Sequence, residues 1–410
     1  MSRFTAPSPE LRQLSILIAT CAVDMVGFAM VFPLIPYYAL RLDASPFVIG
    51  ILTASFSVAQ LIMAPLWGRF SDRHGRRPAL LIGLVAAAIA YVVFGLADSV
   101  WLLLVSRVVQ GAGGGTTGVA QAYVADTIKP ANRAKALGWL SAATSAGVMI
   151  GPAIGSLSHS LLGAEAPGFV AAGLCLVNAA FAWRWLPESR EPGVAGTVTV
   201  RKPVWHAAAE VIRHPARQVS RYIWIYTVGM LAFSCLTAVL ALYLDARFGV
   251  TEQTIGYFFT YVGALSLIMR SIFLGPIVER VGETRTMRAG TITLILGLLS
   301  YTVAPNLWVL AAIIPLVPIG TALLFPSTTS LMSRASDKAE LGATMGVAQM
   351  FAGVSRVSAP LMATAAFQQI GPESPFLLAA AIVALVSVMA FRVDSLSMHT
   401  GETPVPTERS

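Results

Sequence analysis

Twelve apolar runs divide the chain and restrict its fold more than any other feature of the sequence. A helical run of about 20 apolar residues crosses the hydrocarbon core of a bilayer. Backbone groups in that core must be hydrogen-bonded internally, so we expect each run to be a helix. The runs lie near residues 13–38, 47–67, 79–97, 101–123, 137–160, 167–186, 221–244, 254–277, 287–305, 307–332, 342–367 and 374–392. The sequence therefore predicts an all-α membrane protein with twelve transmembrane helices.

Composition excludes a single soluble core. Hydrophobic residues make up 56% of the chain and charged residues only 12%, whereas soluble domains contain roughly a quarter charged residues. The first run is about 25 residues long, longer than the apolar core of a signal peptide, and we expect it to remain as a span. The three cysteines, Cys21, Cys175 and Cys235, all lie inside apolar runs, so no disulfide framework is expected.

The positions of lysine and arginine orient the predicted spans. With both termini in the cytoplasm, 23 of the 28 Lys and Arg residues fall in cytoplasmic segments. Arg41 and Arg247 fall in outer loops, and three arginines fall inside spans: Arg107, Arg270 and Arg356. This bias follows the positive-inside rule and explains the net charge of +8 without a nucleic-acid partner. We expect a monomeric, multi-pass inner-membrane protein with cytoplasmic termini.

The sequence also repeats, with landmarks recurring at offsets of 206 to 208 residues. The matched landmarks are Ile49-Gly50 with Ile255-Gly256, Arg73-x-Gly75 with Arg280-x-Gly282, and Gly138 and Pro152 with Gly346 and Pro360. A nearly constant offset indicates two related bundles. We predict pseudo-symmetric six-helix bundles at 1–186 and 221–394, a cytoplasmic linker at 187–220 with a short amphipathic helix near 203–213, and a polar tail at 395–410.

A dense cluster of charge lies in the hairpin between the second and third runs. Its pattern is Gly-x-x-x-Asp-Arg-x-Gly-Arg-Arg, formed by Gly68, Asp72, Arg73, Gly75, Arg76 and Arg77. This pattern resembles the signature loop of the major facilitator superfamily of secondary transporters. The resemblance implies the twelve-helix major facilitator fold, a glycine that lets two helices approach, and a cytoplasmic latch between the halves. Asp72 would then accept hydrogen bonds, or lie at a helix N-terminus, across the domain interface. A plain stop-transfer hairpin is the alternative.

Asp24 is the only acid that lies clearly inside a predicted span. A charged side chain at the bilayer centre costs about 2.5–3.5 kcal/mol on insertion scales, so such a residue is normally functional. Loss of solvation favours the neutral carboxyl unless an arginine compensates, which makes Asp24 a candidate proton carrier. The alternative is a hydrogen bond that packs the first helix. Pro33 and Pro36 are expected to bend the outer half of the same span.

Arg107, Gln110 and Gly111 resemble the Arg-x-x-Gln-Gly motif of the superfamily, whose buried arginine is linked to proton transfer. An arginine inside a span needs a counter-charge. Asp24 is the best acid for this in the first half, so we expect Arg107 to tune its protonation. The alternative is an arginine that extends to the outer face, because Trp101 marks that boundary one or two turns away.

The fifth run carries Gly147, Gly151, Pro152 and Gly155. This pattern resembles the motif of proton-driven antiporters in the superfamily, with generic small-residue packing as the alternative. Residues 125–134 resemble the matching cytoplasmic loop of tetracycline-efflux-like drug–proton antiporters, the branch that fits best. That branch carries an acid in the third span where this chain has Ala90, which argues against tetracycline itself as the substrate.

Arg270 and Arg356 lie in second-half runs that contain no acid. We expect Arg270 to extend to the cytoplasmic surface, and Arg356 to bind an anionic substrate group or to pair with Asp24. Weaker candidates for substrate binding are polar or aromatic residues in apolar surroundings, which packing also explains. They are Tyr37, Gln60, Tyr123, Asn178, Tyr257, Tyr261, Phe325 and Gln349.

Together these features predict a proton-coupled antiporter that exports small amphipathic or drug-like compounds by alternating access. Its partners would be the substrate, protons and the bilayer, with Asp72 latching the outward-open state and the glycine–proline helix limiting leak. An organic-anion or lipid transporter on the same fold, working by symport or export, is the alternative. A membrane scaffold or sensor without transport is a further one. The runs contain no nucleophile–base pair and no ligand-spaced His or Cys, so we expect no enzyme, cofactor or metal site.

Overall fold

The computed structural model describes residues 9–189, 204–336 and 340–391. Within these ranges nearly every residue is helical and no β-strand occurs. The predicted tail at 395–410 and residues 190–203 of the expected linker lie outside the described residues.

The first half, residues 9–189, contains eight α-helices. They are α1 (Pro9–Val31), α2 (Ile35–Arg41), α3 (Pro46–His74), α4 (Arg76–Gly95), α5 (Val100–Gly113), α6 (Thr116–Thr127), α7 (Pro130–Leu162) and α8 (Ala166–Trp185). The described part of the second half, residues 204–391, contains nine. They are α9 (Val204–Arg213), α10 (Gln218–Phe248), α11 (Ile255–Ile268), α12 (Leu274–Val281), α13 (Glu283–Val303), α14 (Leu307–Ile313), α15 (Leu316–Ala335), α16 (Leu341–Gln369) and α17 (Ser374–Phe391).

Ten helical segments of the described chain are long and apolar enough to cross a membrane. Each coincides with a predicted run, which confirms the all-α membrane architecture. The predicted fourth run is divided between α5 and α6 at Gly114 and Gly115, and the twelfth corresponds to α17, whose apolar part Ser374–Val388 is shorter. The count of twelve spans stays a prediction.

Two interruptions have a clear local cause. A 3₁₀ turn, Phe32–Leu34, joins α1 to α2 at Pro33, whose ring nitrogen has no hydrogen to donate. The break between α5 and α6 falls in a glycine run that lies against α3. An ideal Cβ would lie 2.3 Å from the Phe56 carbonyl oxygen at Gly111, and 2.4 Å from the Trp67 ring at Gly115. These glycines therefore allow backbone to pack directly on α3.

The two halves meet along two helix pairs. Within the first half, α1 packs against α7 and α8, and α4 packs against α5 and α8. Within the second half, α10 packs against α15, α16 and α17, and α13 packs against α15 and α17. Between the halves, α3 packs against α16 and α7 packs against α11.

The internal repeat relates these two junctions. At one junction, an ideal Cβ on Gly50 of α3 would lie 2.9 Å from the Pro360 carbonyl oxygen of α16. At the other, a Cβ on Gly256 of α11 would lie 2.1 Å from the Pro152 carbonyl oxygen of α7. Both pairs are landmarks of the sequence repeat. Equivalent residues of the two halves therefore form equivalent contacts.

The turns after α3 and α12 are also equivalent. Gly75 has φ +99° and Gly282 has φ +84°, a region that glycine enters without the steric cost of a Cβ. The second copy of the charged loop has lost most of its motif but keeps this turn.

The start of the predicted linker packs against the first half. Tyr123 donates a hydrogen bond to the Pro187 carbonyl oxygen over 2.8 Å, and the Glu188 carboxylate contacts the start of α4. Residues 187–189 thus pack with the first half, past the expected end at Leu186. The amphipathic helix expected near 203–213 is present as α9, which packs against α10 and α16.

Candidate functional site

A cavity of about 230 Å³ lies among helices α1, α3, α4, α5 and α6 and reaches α16 of the second half. Asp24 faces it from α1, and Arg356 faces it from α16. The aromatic part of its wall consists of Phe28, Phe56 and Tyr91, and the polar part includes Gln60, Gln110, Thr116 and Thr117. Two residues singled out for substrate binding, Gln60 and Arg356, thus share a cavity with the proposed proton carrier.

Asp24 is buried, with 8% of its surface exposed. The Thr116 hydroxyl donates a hydrogen bond to its Oδ2 over 3.0 Å. A second cavity of about 10 Å³ adjoins the carboxyl and is lined in part by Cys21 and Thr144. That volume fits about one water molecule. The carboxyl therefore lies between two cavities, one of about 230 Å³ and one with room for about a single water molecule.

Arg107 does not pair with Asp24, contrary to the expectation from the sequence. Its guanidinium lies over the Phe94 ring, 5.4 Å from the centroid, and Nη2 donates to Ser106 Oγ over 3.4 Å. Its Nε has no hydrogen-bond partner within the described ranges. The alternative expectation, extension to the outer face, is also wrong, because only 2% of Arg107 is exposed. The side chain points from α5 towards α4, whereas Asp24 faces α6.

Tyr91 lines the same cavity as Asp24 and was missed by the sequence reasoning. Gln110, one turn after Arg107 on α5, donates a hydrogen bond from its amide to the Tyr91 hydroxyl over 2.6 Å. The sequence does contain a feature that points to this residue, because Tyr91 places a hydroxyl group inside the otherwise apolar third run. The neighbouring Ala90 is fully buried, and its carbonyl accepts a hydrogen bond from Ser106 Oγ over 2.8 Å.

The signature loop is bound to the first half in this structure. Arg76 is buried and pairs with Asp72 Oδ1 at 2.8 Å and with Asp126 Oδ2 at 2.9 Å. The carboxylate at a helix N-terminus is that of Glu188, which accepts from the Arg76 and Arg77 amides over 2.8 and 3.0 Å. Asp72 was expected to take such a role across the interface.

The remaining loop residues have simpler surroundings. Arg73 is exposed, and the Arg77 guanidinium donates to the Trp183 carbonyl oxygen. A Cβ on Gly68 would meet no atom within 4 Å, so close approach of two helices does not require this glycine here. Gly75 is required, since its turn has positive φ and a Cβ would lie 2.4 Å from the Glu188 carboxylate.

We expect Glu188→Gln to lower the stability of the first half by about 1 kcal/mol, because an anion at a helix N-terminus is favoured by the free amides and the helix dipole. Thermal unfolding of the purified protein in detergent, followed by circular dichroism, measures the change. Glu279→Gln, at an exposed carboxylate in the last turn of α12 and so away from any helix N-terminus, is the control. Equal melting temperatures for the two variants would contradict the capping role.

The glycines of the fifth run pack α7 on α1. At each of these glycines an added Cβ would clash with a carbonyl oxygen of α1. The distance would be 2.4 Å from Gly147 to Ala22, 2.7 Å from Gly151 to Val26, and 2.3 Å from Gly155 to Met30. The glycine motif therefore faces the helix that carries Asp24. Pro152 lies within the uninterrupted helix α7, and its carbonyl faces α11.

A polar cluster joins the halves at the predicted outer end. Glu252 of the α10–α11 loop pairs with Arg41, and its carboxylate lies 3.5 Å from His159 Nε2. The Ser156 hydroxyl donates to the Glu252 carbonyl oxygen over 2.8 Å and accepts from the Gly256 amide over 2.9 Å. Two further bonds between the halves lie nearby, from Tyr37 to the Val250 carbonyl oxygen and from the Phe47 amide to Gln368. The sequence reasoning missed this cluster, since it assigned Arg41 to an outer loop and singled out neither Glu252 nor His159.

We expect Glu252→Gln to open the predicted outer end in part of the population. The variant removes a partly buried charge from Arg41 and His159, and charge-assisted bonds contribute about 1.5–3 kcal/mol. Spin labels on Asp98→Cys and Pro372→Cys, in outer loops of opposite halves, report the distance by electron resonance. Glu373→Gln, which removes an exposed pair with Arg247, is the control. An unchanged distance distribution would contradict the gating role.

The other candidate substrate contacts lie apart from the cavity wall. Tyr37 bonds at the outer end, Tyr123 is fully buried beside Pro187, and Phe325 packs edge-on against Tyr226. Tyr257 is 55% exposed and Tyr261 40% exposed, and Gln349 is also exposed. Asn178 is buried and donates to the Thr20 carbonyl oxygen. The described residues contain no cluster of three or more His, Cys, Asp or Glu that could hold a metal ion.

Comparison with known proteins gives consistent matches over nearly the whole chain. The family model described as Major Facilitator Superfamily matches residues 17–272 and 222–409. The tetracycline resistance protein, class G, of Vibrio anguillarum is 28% identical over 352 residues, which is 84% of this chain and 88% of the relative. Multidrug resistance protein 1 of Bacillus subtilis (strain 168) is 28% identical over 388 residues, 91% of this chain and 94% of the relative.

Solved structures share the fold. The human organic anion transporter MFSD10 (TETRAN) superposes with a TM-score of 0.68 at 21% identity, over 94% of this chain and all of that one. A bacterial homologue of the human lysosomal transporter Spinster, in an inward-facing and unoccupied conformation, has a TM-score of 0.75 at 14% identity, over 98% of this chain and all of that one. The two curated relatives are named for resistance to tetracycline and to multiple drugs. The chain thus belongs to the major facilitator superfamily and is a multi-pass membrane transporter.

Proposed function

We propose that this transporter is a proton-coupled antiporter that exports small amphipathic compounds. The observation that carries the proposal is Asp24, a buried carboxyl in the wall of a cavity with aromatic and polar sides. An ionisable group inside a span is costly and normally functional. Loading and unloading of a proton at Asp24 would then alternate with substrate in the same cavity. The resistance proteins matched by the chain, named for tetracycline and for multiple drugs, support a drug-like substrate class.

Arg107 would act on Asp24 indirectly. Tyr91 lies in the cavity wall with Asp24, and Gln110, on the same helix as Arg107, donates a hydrogen bond to its hydroxyl. A buried arginine without an ion pair raises the positive potential around it, because little solvent screens its charge. Movement of Tyr91 would therefore alter how strongly Asp24 holds its proton.

Alternating access follows from the two junctions between the halves. In this state the predicted outer end is closed by the bonds from Glu252 to Arg41 and Ser156. The cavity would then exchange with the cytoplasm. In the opposite state we propose that Asp72 latches the cytoplasmic end across the interface and that the glycine face of α7 limits leak.

The membrane supplies the driving force in this scheme. One proton that crosses 100 mV releases about 2.3 kcal/mol, enough for roughly fifty-fold accumulation of a neutral compound. We propose a monomer in the inner membrane, with both termini in the cytoplasm and two six-helix domains. The bias of Lys and Arg towards one side of the predicted topology supports this orientation.

Proton release from the purified protein tests the function. The protein is placed in weakly buffered detergent, and cationic, neutral and anionic lipophiles are added one at a time. An antiporter whose substrate displaces a proton should release protons with some of these compounds. Compounds that bind without any change in pH would contradict antiport, and a panel without binding would favour a scaffold or sensor.

A second candidate is an organic-anion or lipid transporter on the same fold. The observation that favours it is Arg356, a cation in the same cavity as Asp24. Proton uptake, instead of release, on addition of an anionic lipophile would favour this candidate, because bound negative charge stabilises a protonated carboxyl.

A further inference from the structure

Helix α2, the outer part of the first span, carries contacts to the second half of the protein. Tyr37 donates a hydrogen bond to the Val250 carbonyl oxygen over 2.7 Å, and Arg41 forms an ion pair with Glu252. A 3₁₀ turn separates α2 from α1, so the two are not one continuous helix. The position of α2 on the first half therefore depends on side-chain packing.

Four side chains of the first half form a continuous series of contacts, here called the ring series. The Arg41 guanidinium lies over the Tyr38 ring, 5.7 Å from its centroid. The Tyr38 and Phe94 ring centroids are 4.4 Å apart. The Arg107 guanidinium lies over the Phe94 ring, 5.4 Å from its centroid. Both cation–ring distances are within the range of about 6 Å that is typical of cation–π contacts. The ring series thus joins the predicted outer end to a buried arginine of α5.

The inner end of the ring series is shielded from water. Tyr38, Phe94 and Arg107 are all buried. A cation–π contact is stronger where water is excluded. Within the described ranges Arg107 forms no ion pair, so the Phe94 ring is a major source of electrostatic stabilisation for its charge. The contact between α5 and α4 at this point is therefore costly to break.

The outer end of the ring series is only partly buried, and there the order of a side chain matters. A partly exposed ion pair gains little net stability, because two long side chains must be held in one geometry. Stacking on Tyr38 restricts the Arg41 guanidinium in advance. Its Nη2 lies 3.0 Å from His159 Nε2 and beside the Glu252 carboxylate. The ring series therefore holds Arg41 in the direction from which Glu252 binds it.

We propose that Arg107 is a positioning residue for closure of the predicted outer end, and that it acts on Arg41 through the ring series. The inference rests on the proposed function, since the closed outer end belongs to one of the two alternating states. It gives Arg107 a role at the outer end, in addition to its indirect action on Asp24.

Arg107→Met removes the charge and keeps an unbranched side chain. We expect the ratio of outward-open to closed protein to rise about five- to thirty-fold, as for loss of a cation–π contact shielded from water. Spin labels on Asp98→Cys and Pro372→Cys in the full-length protein measure this ratio. The melting temperature should not fall, because the variant removes a buried charge that has no ion pair. A lower melting temperature with unchanged distances would show a merely structural role and overturn the proposal.

Two further positions test the rings and the chemistry. Tyr38→Leu removes a ring of the series and should open the outer end to a similar extent. Tyr38→Phe keeps the ring and loses a hydroxyl that has no hydrogen-bond partner in the described part of the chain, so it should restore closure. Arg184→Met removes a cation–π contact with Trp185, 5.9 Å from the ring centroid and at the predicted cytoplasmic end. This matched control should leave the distances unchanged.

Double variants test the route from Arg107 to Arg41. With Glu252→Gln, the combined shift should be smaller than the product of the two single shifts, because both changes weaken the same ion pair. With Glu283→Gln, whose ion pair with Arg334 lies within the second half, the shifts should multiply. Arg107→Met should also open the outer end in the Asp24→Asn background, which excludes a route through the proton site.

Shifts that multiply with Glu252→Gln, or an effect of Arg107→Met that disappears in the Asp24→Asn background, would overturn the proposal. Opening by Glu252→Gln without opening by Arg107→Met would also overturn it, and would leave the polar cluster as the closing contact. The proposed antiport is decided separately by proton release, because the spin-label distances do not depend on proton transfer.

Discussion

Replacing Asp24 with asparagine is expected to abolish proton-coupled transport and to leave the fold intact. Asparagine has nearly the same shape, and its amide oxygen can still accept the hydrogen bond from Thr116. It cannot bind or release a proton. We expect substrate-driven proton flux in proteoliposomes to fall at least about a hundred-fold, because an ionisable group inside the membrane is here the carrier itself.

The pH dependence of binding gives a second measurement on the same variant. If substrate and proton compete at Asp24, the wild-type affinity for substrate should rise with pH. At higher pH fewer Asp24 carboxyls carry a proton that the substrate has to displace. The Asp24→Asn variant should bind with an affinity that does not change with pH. Asp98→Asn, at an exposed carboxylate of an outer loop, is the matched control. If the Asp24→Asn variant had the same substrate-driven proton flux as the wild type, the proton site would have to lie elsewhere in the protein.

Gly256→Ala is expected to prevent closure of the predicted outer end. The new Cβ would lie 2.1 Å from the Pro152 carbonyl oxygen and 2.6 Å from Ser156 Oγ, across the junction between the halves. Backbone cannot yield as a side chain can, and overpacking of this kind costs about 1–3 kcal/mol. The equilibrium should therefore shift towards the outward-open state by roughly 5- to 150-fold. The spin-label pair in the outer loops measures the shift.

Two other glycines separate this effect from loss of stability. Gly275→Ala lies on the same span, where a Cβ would meet nothing within 4 Å, and should leave the conformational equilibrium unchanged. Gly147→Ala adds a clash with the Ala22 carbonyl oxygen inside the first half. The contact between Gly147 and Ala22 lies within one half and is present in both the inward-open and the outward-open state. The melting temperature of Gly147→Ala should therefore fall, while the distance distribution between the two spin labels keeps its maxima. A fall in stability without a shift in distance for Gly256→Ala would contradict the gating contact.

The membrane architecture and the superfamily could both be predicted from the sequence. Apolar runs, the bias of basic residues and the repeat gave the all-α membrane architecture, and the motifs around Asp72 and Gly151 indicated the superfamily that the family model confirms. These features are local or periodic, so their physical meaning does not depend on distant residues. Four landmarks of the repeat, Gly50, Pro152, Gly256 and Pro360, lie at the two junctions, but only the structure shows which of them meet.

Only the tertiary structure decided how the charged residues are partnered. The sequence suggested that Arg107 is the counter-charge of Asp24 because both lie in first-half spans. In the structure the Arg107 guanidinium lies over the Phe94 ring, while Asp24 accepts a hydrogen bond from Thr116. Glu188, rather than Asp72, caps a helix, since the chain after α8 returns to the start of α4. The position of a residue along its span determines how deep its side chain lies in the bilayer. The rotation of the helix about its axis determines which neighbouring residue that side chain contacts. Rotation is set by packing against neighbouring helices, which no single run encodes.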